Sequence, residues 1–394
     1  MKPYKQIDCF NRQLNIFKYL GIYPLELTPW PFYEIFSKTF IFLFIILYII
    51  LGTINFFFLR RLEDFVDELT FYFTEVATMS KVLTFALQRD KMKEILDTLE
   101  SGLFQPKFPK GLMIIDKTKN FNLFYWKLVA IVSVIAYMAH VISPMMSHLI
   151  FNVELVFPTS TYSFLPYNVI ESYRYPLYVY QAVGIYVMML YNINIDTFFL
   201  GLMVLLIAQL KVLRDTMSDV TNKFKKEAGH RTFLLNNDTA EILKLNRALI
   251  HYAEITKFCK LIEKVFTVTL FIQFSVASCI ICICLFKFSL PAPWQYYIFL
   301  STYMFVMVVQ IMVPSWFGTQ VIEESNILST AIYNCNWTPR SKQFKSTMRL
   351  FVERAKRPLS ITGWKMFPLS LVTFTAIMKS AYSFFTLLRN VQSR

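Results

Sequence analysis

Residues 39–59 read TFIFLFIILYIILGTINFFFL, a run without a single charged side chain. A helix of this length crosses about 30 Å of hydrocarbon. Residues 265–286 and 296–317 are equally long and uncharged, hydrophobic residues make up 55% of the chain, and the mean hydropathy is +0.44. These values exceed those of soluble domains. The sequence therefore predicts an all-α, polytopic membrane protein with seven transmembrane helices, inserted without a cleavable signal peptide because residues 1–38 are mixed polar and charged.

Lysine and arginine are unevenly distributed between the segments that link the seven apolar stretches. Alternate segments carry 31 basic residues on one side and 6 on the other. Basic residues near span ends mark the cytoplasmic side of a membrane protein. We therefore expect a cytoplasmic N-terminus and, after seven crossings, an extracellular C-terminus, the reverse of a G-protein-coupled receptor. The net charge of +14 then sets orientation and contacts the lipid bilayer, and indicates no nucleic-acid partner.

The fourth apolar stretch, residues 175–210, is too long for one crossing and contains Asp196 as its only charge. Gly201 is the only turn former near its middle, so we expect one helix that continues into the cytoplasm and not a hairpin. Residues 240–264 predict a second such extension, leading into span 5. Span 3 is expected to end at Pro144, and the aromatic loop that follows it is expected to pack on the bundle as a lid.

Residues 341–357 predict an amphipathic helix, with Phe344, Met348, Phe351, Val352 and Ala355 on its apolar face. Such a helix either lies on the membrane or joins a cytoplasmic helical bundle, and the long extensions of spans 4 and 5 favour the bundle. The expected organisation is a cytoplasmic segment (1–38), helices 1 to 6 (39–317), a cytoplasmic helical anchor (318–365), and helix 7 with a short extracellular tail (366–394).

Enzyme signatures are missing from the sequence. It has no phosphate loop, no G-x-S-x-G and no H-E-x-x-H. Cys279, Cys282 and Cys284 lie in an uncharged span without a nearby histidine, so we expect packing and no metal site. No cofactor is predicted. Glycosylation sequons at Asn237 and Asn336 fall in predicted cytoplasmic loops, where they are expected to stay unmodified.

The outer half of the predicted bundle is rich in aromatic residues and methionine. Such a set lines a pocket for a small, mostly apolar ligand, although a plain bundle core has the same composition. Glu75 and His140 are the informative members, because a polar group at that depth needs a partner. The candidate ligand-binding residues are Phe71, Tyr72, Phe73 and Glu75 in span 2, Tyr137, Met138 and His140 in span 3, Tyr180, Ile185 and Met189 in span 4, and Phe299 and Tyr303 in span 6.

Span 7, residues 366–388, carries a polar stripe on one helical face, formed by Thr375, Lys379, Ser383, Thr386 and Asn390. A polar stripe on an apolar span is typical of a water-lined path, and equally of close helix packing. Because one helix cannot enclose a pore, the first interpretation requires an oligomer.

The C-terminal quarter contains several linked motifs. They are VIEES at 321–325, AIYNCNW at 331–337, RAKRPL at 354–359, FPLS at 367–370 and KSAYSFFTLL at 379–388. In this order and spacing they resemble the C-terminal signature of insect odorant receptors. The chain lacks the long inserted loop of the shared co-receptor and so resembles a ligand-tuning subunit.

That resemblance implies an odorant-gated, non-selective cation channel. In the family, tuning subunits form heterotetramers with co-receptor subunits in the plasma membrane of olfactory neuron dendrites. A small volatile odorant binds in the outer half, and helix 7 lines the pore. The pore and gate positions carry over to Ser383, Thr386, Leu387 and Val391. The alternatives are a gustatory-type channel and a metabotropic seven-helix chemoreceptor.

Overall fold

The computed structural model describes residues 5–23, 31–59, 62–106, 108–227, 234–289, 291, 294–334, 337 and 340–392. Within these residues the chain is mostly helical, with one short β-hairpin (β1, Thr362–Gly363, antiparallel to β2, Phe367–Pro368). The helices are α1 (Asn11–Tyr19), α2 (Tyr33–Phe56), α3 (Leu62–Leu87), α4 (Arg89–Glu100), α5 (Pro109–Phe151), α6 (Tyr167–Ser172), α7 (Arg174–Glu227), α8 (Leu234–Lys287), α9 (Trp294–Tyr333), α10 (Lys342–Ala355) and α11 (Leu371–Gln392).

The seven predicted spans correspond to α2, α3, α5, α7, α8, α9 and α11. Among the described residues, five of these helices (α2, α5, α7, α8 and α9) are long and apolar enough to cross a membrane. The apolar part of α11 is shorter, Leu371–Leu387. Helix α3 contains Glu68, Glu75 and Lys81, all of them buried. A span with this many charges is stable only inside a bundle, which explains why its sequence pattern is the weakest of the seven.

Helix α7 forms the centre of the molecule. It runs unbroken for 54 residues, about 81 Å, so the prediction of one helix and not a hairpin is confirmed. Gly201 is a packing position within this helix. A Cβ there would lie 2.5 Å from a ring carbon of Phe10 and 2.8 Å from the Asn122 side chain. Glycine lets the N-terminal segment and α5 approach the α7 backbone.

Helices α7, α8, α9 and α10 pack together at the end of the bundle that we call the anchor end. Helix α8 also runs unbroken for 54 residues. The predicted amphipathic helix is α10, capped by Ser341, whose Oγ accepts a hydrogen bond from the Phe344 amide at 3.3 Å. The structure agrees with the bundle alternative and not with a helix lying on the membrane. The apolar residues Phe344, Met348, Phe351 and Ala355 are buried in the helical bundle and do not form a free surface face.

Ion pairs join the helices at the anchor end. Arg340 and Glu241 are 2.7 Å apart, and both side chains are buried. Arg214 on α7 contacts Glu324 on α9 at 2.6 Å. Charged groups in this part of the chain therefore link its elements to one another.

The expected end of span 3 at Pro144 is wrong. Helix α5 continues to Phe151 and stops where Asn152 adopts a left-handed backbone conformation (φ 51°). A π-helical turn over Met138–Ile142 precedes the proline. The wider turn accommodates the missing amide and the ring that would break a regular helix.

The expected start of helix 7 at residue 366 is also wrong. The hairpin β1–β2 comes first, and α11 begins at Leu371. Ser370 caps it by accepting a hydrogen bond from the Thr373 amide at 3.2 Å. The preceding backbone lies against α9, because the Leu369 carbonyl oxygen would be 2.1 Å from a Cβ on Gly318. This close approach positions the start of α11.

Candidate ligand site and final helix

A narrow cavity lies between α2, α3 and the loop of residues 152–166, at what we call the loop end of the bundle. Its volume is about 10 Å³, the room that one water molecule needs. It is lined by Tyr48, Gly52, Glu68, Phe71, Tyr72, Glu75, Thr159, Ser160 and Tyr162. Three of the predicted ligand residues, Phe71, Tyr72 and Glu75, therefore lie on one cavity wall.

An aromatic cluster extends from this wall to α5 and α9. The rings of Phe71 and His140 stack with centroids 5.3 Å apart. Tyr303 lies 6.2 Å from Phe71 between ring centroids, and its hydroxyl donates to the Thr70 carbonyl at 3.3 Å. Residues far apart in the sequence thus meet beside the cavity.

The loop of residues 152–166 packs on the bundle, as its aromatic content predicts. Gln181 on α7 holds it from both sides: the side-chain amide donates to Ser160 O at 2.7 Å and accepts from the Thr159 amide at 3.1 Å. Asn55 accepts from the Ser163 amide at 2.5 Å. His140 Nε2 lies 2.9 Å from the Pro158 carbonyl oxygen. These contacts make the loop the roof of the cavity.

The remaining predicted ligand residues do not line the cavity. Tyr137 and Ile185 belong to a separate small cluster around Val141, and Met138 is exposed. Tyr180 contacts a residue of the cavity wall but not the cavity: its ring centroid lies 5.8 Å from that of Tyr48. Phe73 packs on the main core, Met189 is half-buried, and the side chain of Phe299 lies outside the described residues.

Sequence reasoning missed the contribution of α2 and the roof. Tyr48 and Gly52 come from the first span, and Thr159, Ser160 and Tyr162 come from the loop. A signal was available in the first span, since a tyrosine, a glycine and Asn55 interrupt its apolar run on the way to the loop end.

A buried ion pair lies within the bundle, at the level of Lys81. The Lys81 ammonium is 2.7 Å from Asp196 Oδ1 and donates to Asn192 Oδ1 at 2.9 Å. Gln310 on α9 donates to Asp196 Oδ2 at 3.0 Å, and Asn192 donates to Thr78 Oγ1 at 2.6 Å. This network connects α3, which forms the cavity wall, with α7 and α9.

Helix α11 covers the core with one face and exposes the rest. Ala381 is buried against the core. The polar stripe faces away: Thr375, Lys379, Ser383 and Asn390 are exposed, and Thr386 is half-buried. Leu387 lies beside the stripe, 59% exposed. The side chain of Val391 lies outside the described residues.

Comparison with known proteins now identifies the family. The family model for the 7tm odorant receptors matches residues 61–382, most of the chain. The chain belongs to the 7tm odorant receptor family. It is similar to odorant receptor 59a of Drosophila melanogaster, with 26% identity over 97% of both chains. It also resembles odorant receptor 10 of Aedes albopictus, with 25% identity over 58% of this chain and 60% of that one.

Solved structures show the same fold. The olfactory receptor OR5 of Machilis hrabei in complex with eugenol matches with a TM-score of 0.77 and 16% identity over 97% of both chains. A second structure of OR5 matches with a TM-score of 0.75. The protein is thus a multi-pass membrane receptor of the insect odorant receptor family, which is not an enzyme family. Of the chemoreceptor families considered above, this is the one that contains the chain.

Proposed function

We propose that this odorant receptor is the ligand-tuning subunit of a ligand-gated, non-selective cation channel. It assembles with co-receptor subunits as a heterotetramer in the plasma membrane of olfactory neuron dendrites. Its N-terminus faces the cytoplasm, so the loop end of the bundle faces outward and the anchor end is cytoplasmic. A small, volatile, mostly apolar odorant binds at the loop end, and α11 lines the pore.

The observation that carries this proposal is the exposed polar face of α11. Ser383 and Lys379 lie near the middle of the exposed arc of the helix. Among the described residues, Lys379 has no ion-pair partner. An ammonium group facing hydrocarbon costs about 2.5–3.5 kcal/mol, so this face is expected to meet water or another subunit. An oligomer with α11 around its axis satisfies that requirement.

Leu387 is the proposed gate. It is a large apolar residue beside a polar stripe, and a ring of such residues closes a pore by excluding water. The side chain of Val391, one turn further, has the same proposed role. Odorant opens the ring only if it binds the open arrangement more tightly than the closed one. The Lys81–Asp196 network connects the cavity wall on α3 with α7 and α9, and α9 contacts the start of α11 through Gly318. This provides a continuous route for the change.

The proposal is tested by recording currents from cells that express this chain with the co-receptor. Wild-type cells should respond to members of a broad odorant panel. Leu387→Ala should raise the current in the absence of odorant, because a smaller side chain opens the ring. Silence to the whole panel despite surface expression would contradict the channel proposal.

Cysteine accessibility tests the orientation of α11. Ser383→Cys should be modified by a charged thiosulfonate reagent applied during odorant stimulation, and the current should change. Ala381→Cys, two residues away and buried against the core, is the matched control and should stay unmodified. Equal modification of both variants would argue against a water-filled path along the polar stripe.

Epitope tags at the two ends test the membrane orientation. On intact cells a C-terminal tag should bind antibody and an N-terminal tag should not. An accessible N-terminus would support the metabotropic alternative and invert the assignment of the loop end to the outside.

A further inference from the structure

The cavity at the loop end contains two acidic side chains of different status. Glu68 and Glu75 are seven residues apart on α3 and therefore share a face. Glu68 accepts two hydrogen bonds from Asn55 Nδ2, at 2.9 and 2.8 Å. Glu75 is only 8% exposed, and among the described residues no donor lies within hydrogen-bonding distance of its carboxyl group. One acid is satisfied by the protein and the other is not.

An unsatisfied carboxyl group at this depth is costly. Burying a polar group without a hydrogen bond destabilises a protein, and burying a charged one does so more strongly. Further along α3, the buried Lys81 does not bear this cost, because its ammonium group donates hydrogen bonds to Asp196 and Asn192. Glu75 has no such partner and instead faces the cavity. Burial and the nearby acid Glu68, which lines the same cavity, make a negative charge on Glu75 costly unless a positive partner binds beside it.

Two tyrosine hydroxyl groups of the cavity wall and the backbone of its roof are already engaged. The Tyr48 hydroxyl donates to the Gln181 carbonyl at 3.5 Å, and the Tyr72 hydroxyl is 2.9 Å from Thr53 Oγ1. Thr159 and Ser160 bond to the Gln181 side chain. Glu75 is therefore a carboxyl group without a hydrogen-bond donor among the described residues, and the surrounding rings present π-faces that attract a cation.

We propose that Glu75 anchors a small amine odorant. The ammonium group of the amine donates to the Glu75 carboxylate, and its apolar part packs against Phe71 and the tyrosine rings of the cavity. The inference rests on the proposed function, because it takes this cavity as the ligand site. Since the cavity holds about one water molecule, binding requires the roof formed by Thr159, Ser160 and Tyr162 to move outward.

The experiment compares three compounds of one skeleton: benzylamine, benzyl alcohol and toluene. They are applied to cells that express the receptor with the co-receptor. A hydrogen bond to a charged group contributes about 1.5–3 kcal/mol, which corresponds to a preference for benzylamine over toluene of about ten- to a hundredfold. Glu75→Gln keeps an acceptor of the same shape and removes the charge, so it should abolish most of that preference. Benzyl alcohol and toluene are applied to the same cells, so that the preference is a ratio measured within each variant.

Glu68→Gln is the matched control. It makes the same chemical change on the same helix face, at a residue already bonded to Asn55, and should change the amine preference less than Glu75→Gln does. The proposal is overturned if wild-type receptor responds to neutral odorants but shows no amine preference. It is equally overturned if Glu75→Gln keeps the preference. If Glu75→Gln fails to fold, the wild-type comparison of benzylamine with toluene decides alone.

A binding measurement separates this inference from the channel proposal. Purified receptor in detergent is heated with benzylamine or toluene, and its apparent Tm is measured. If neither these compounds nor the broad odorant panel evokes current despite surface expression, the channel proposal fails. Stabilisation of the wild type but not of Glu75→Gln by benzylamine would still support the amine site, and equal behaviour of the two proteins would refute it.

Discussion

The ion pair between Lys81 and Asp196 allows a quantitative test of how this bundle is held together. Lys81 is fully buried, and Asp196 Oδ1 lies 2.7 Å from its ammonium group. Removing one partner of a buried pair leaves an uncompensated charge and costs about 3–5 kcal/mol, whereas removing both is often close to neutral. We therefore predict how the free energy of unfolding changes across two single variants and one double variant.

The two single variants are expected to differ. Asp196→Asn leaves a fully buried ammonium group with only neutral amide oxygens as acceptors, that of Asn192 and that of the substituted side chain, so we expect the full cost of about 3–5 kcal/mol. Lys81→Met leaves a carboxylate whose side chain is 30% exposed and still accepts from Gln310, so the cost should be about half. The double variant Lys81→Met with Asp196→Asn should recover most of the loss.

The assay is the apparent Tm of the purified receptor, followed by size-exclusion chromatography of heated samples. An unfolding entropy of about 2.1 cal/mol/K per residue gives about 0.8 kcal/mol/K for a chain of this length. Asp196→Asn should then lower Tm by about 4–6 °C and Lys81→Met by about 2–3 °C. A double variant whose loss equals the sum of the two single losses would refute the coupling of the two charges, and so would single variants with unchanged Tm.

Three further predictions concern packing, capping and thiol chemistry. Gly318→Ala should reduce surface expression and lower Tm by several degrees, because its Cβ would lie 2.1 Å from the Leu369 carbonyl oxygen; Gly102→Ala, where a Cβ meets nothing within 4 Å, should leave both unchanged. Ser341→Ala removes the cap of α10 and should cost about 1 kcal/mol, a Tm decrease of about 1 °C. Burial raises the pKa of the Cys9 thiol to about 12, so at pH 8 it stays protonated, and mass spectrometry should find slow alkylation by iodoacetamide until the protein unfolds.

Local sequence signals predicted the long elements correctly. Uninterrupted apolar runs, continued by polar residues that are compatible with a helix, predict one continuous α7 and one continuous α8. The prediction succeeds because the length of a helix depends on residues that are close together in the sequence. Gly201 was a harder case. It is a turn former in the sequence and a packing position in the structure, and only the tertiary contact with Phe10 explains it.

Contacts between distant residues were beyond sequence reasoning. Lys81 and Asp196 are isolated charges in apolar stretches of the sequence, but they are 115 positions apart and nothing local indicates that they pair. For the same reason the sequence does not predict the whole cavity. Its α3 wall was predicted, but Tyr48 and Gly52 of α2 join it only because the two helices and the loop converge. The π-helical turn before Pro144 likewise has no marker in the sequence.

The two lysines of the membrane-spanning region differ in whether the described residues include an ion-pair partner for them. Lys81 has its partners on α7 within the same chain, so the helices around it form a complete bundle. Lys379 lies on the exposed face of α11, and its partner is not among the described residues. A charge that is retained in a membrane helix requires water or an opposite charge. Because no acidic side chain among the described residues pairs with Lys379, we propose that this face of α11 meets another subunit of an assembly or a water-filled path.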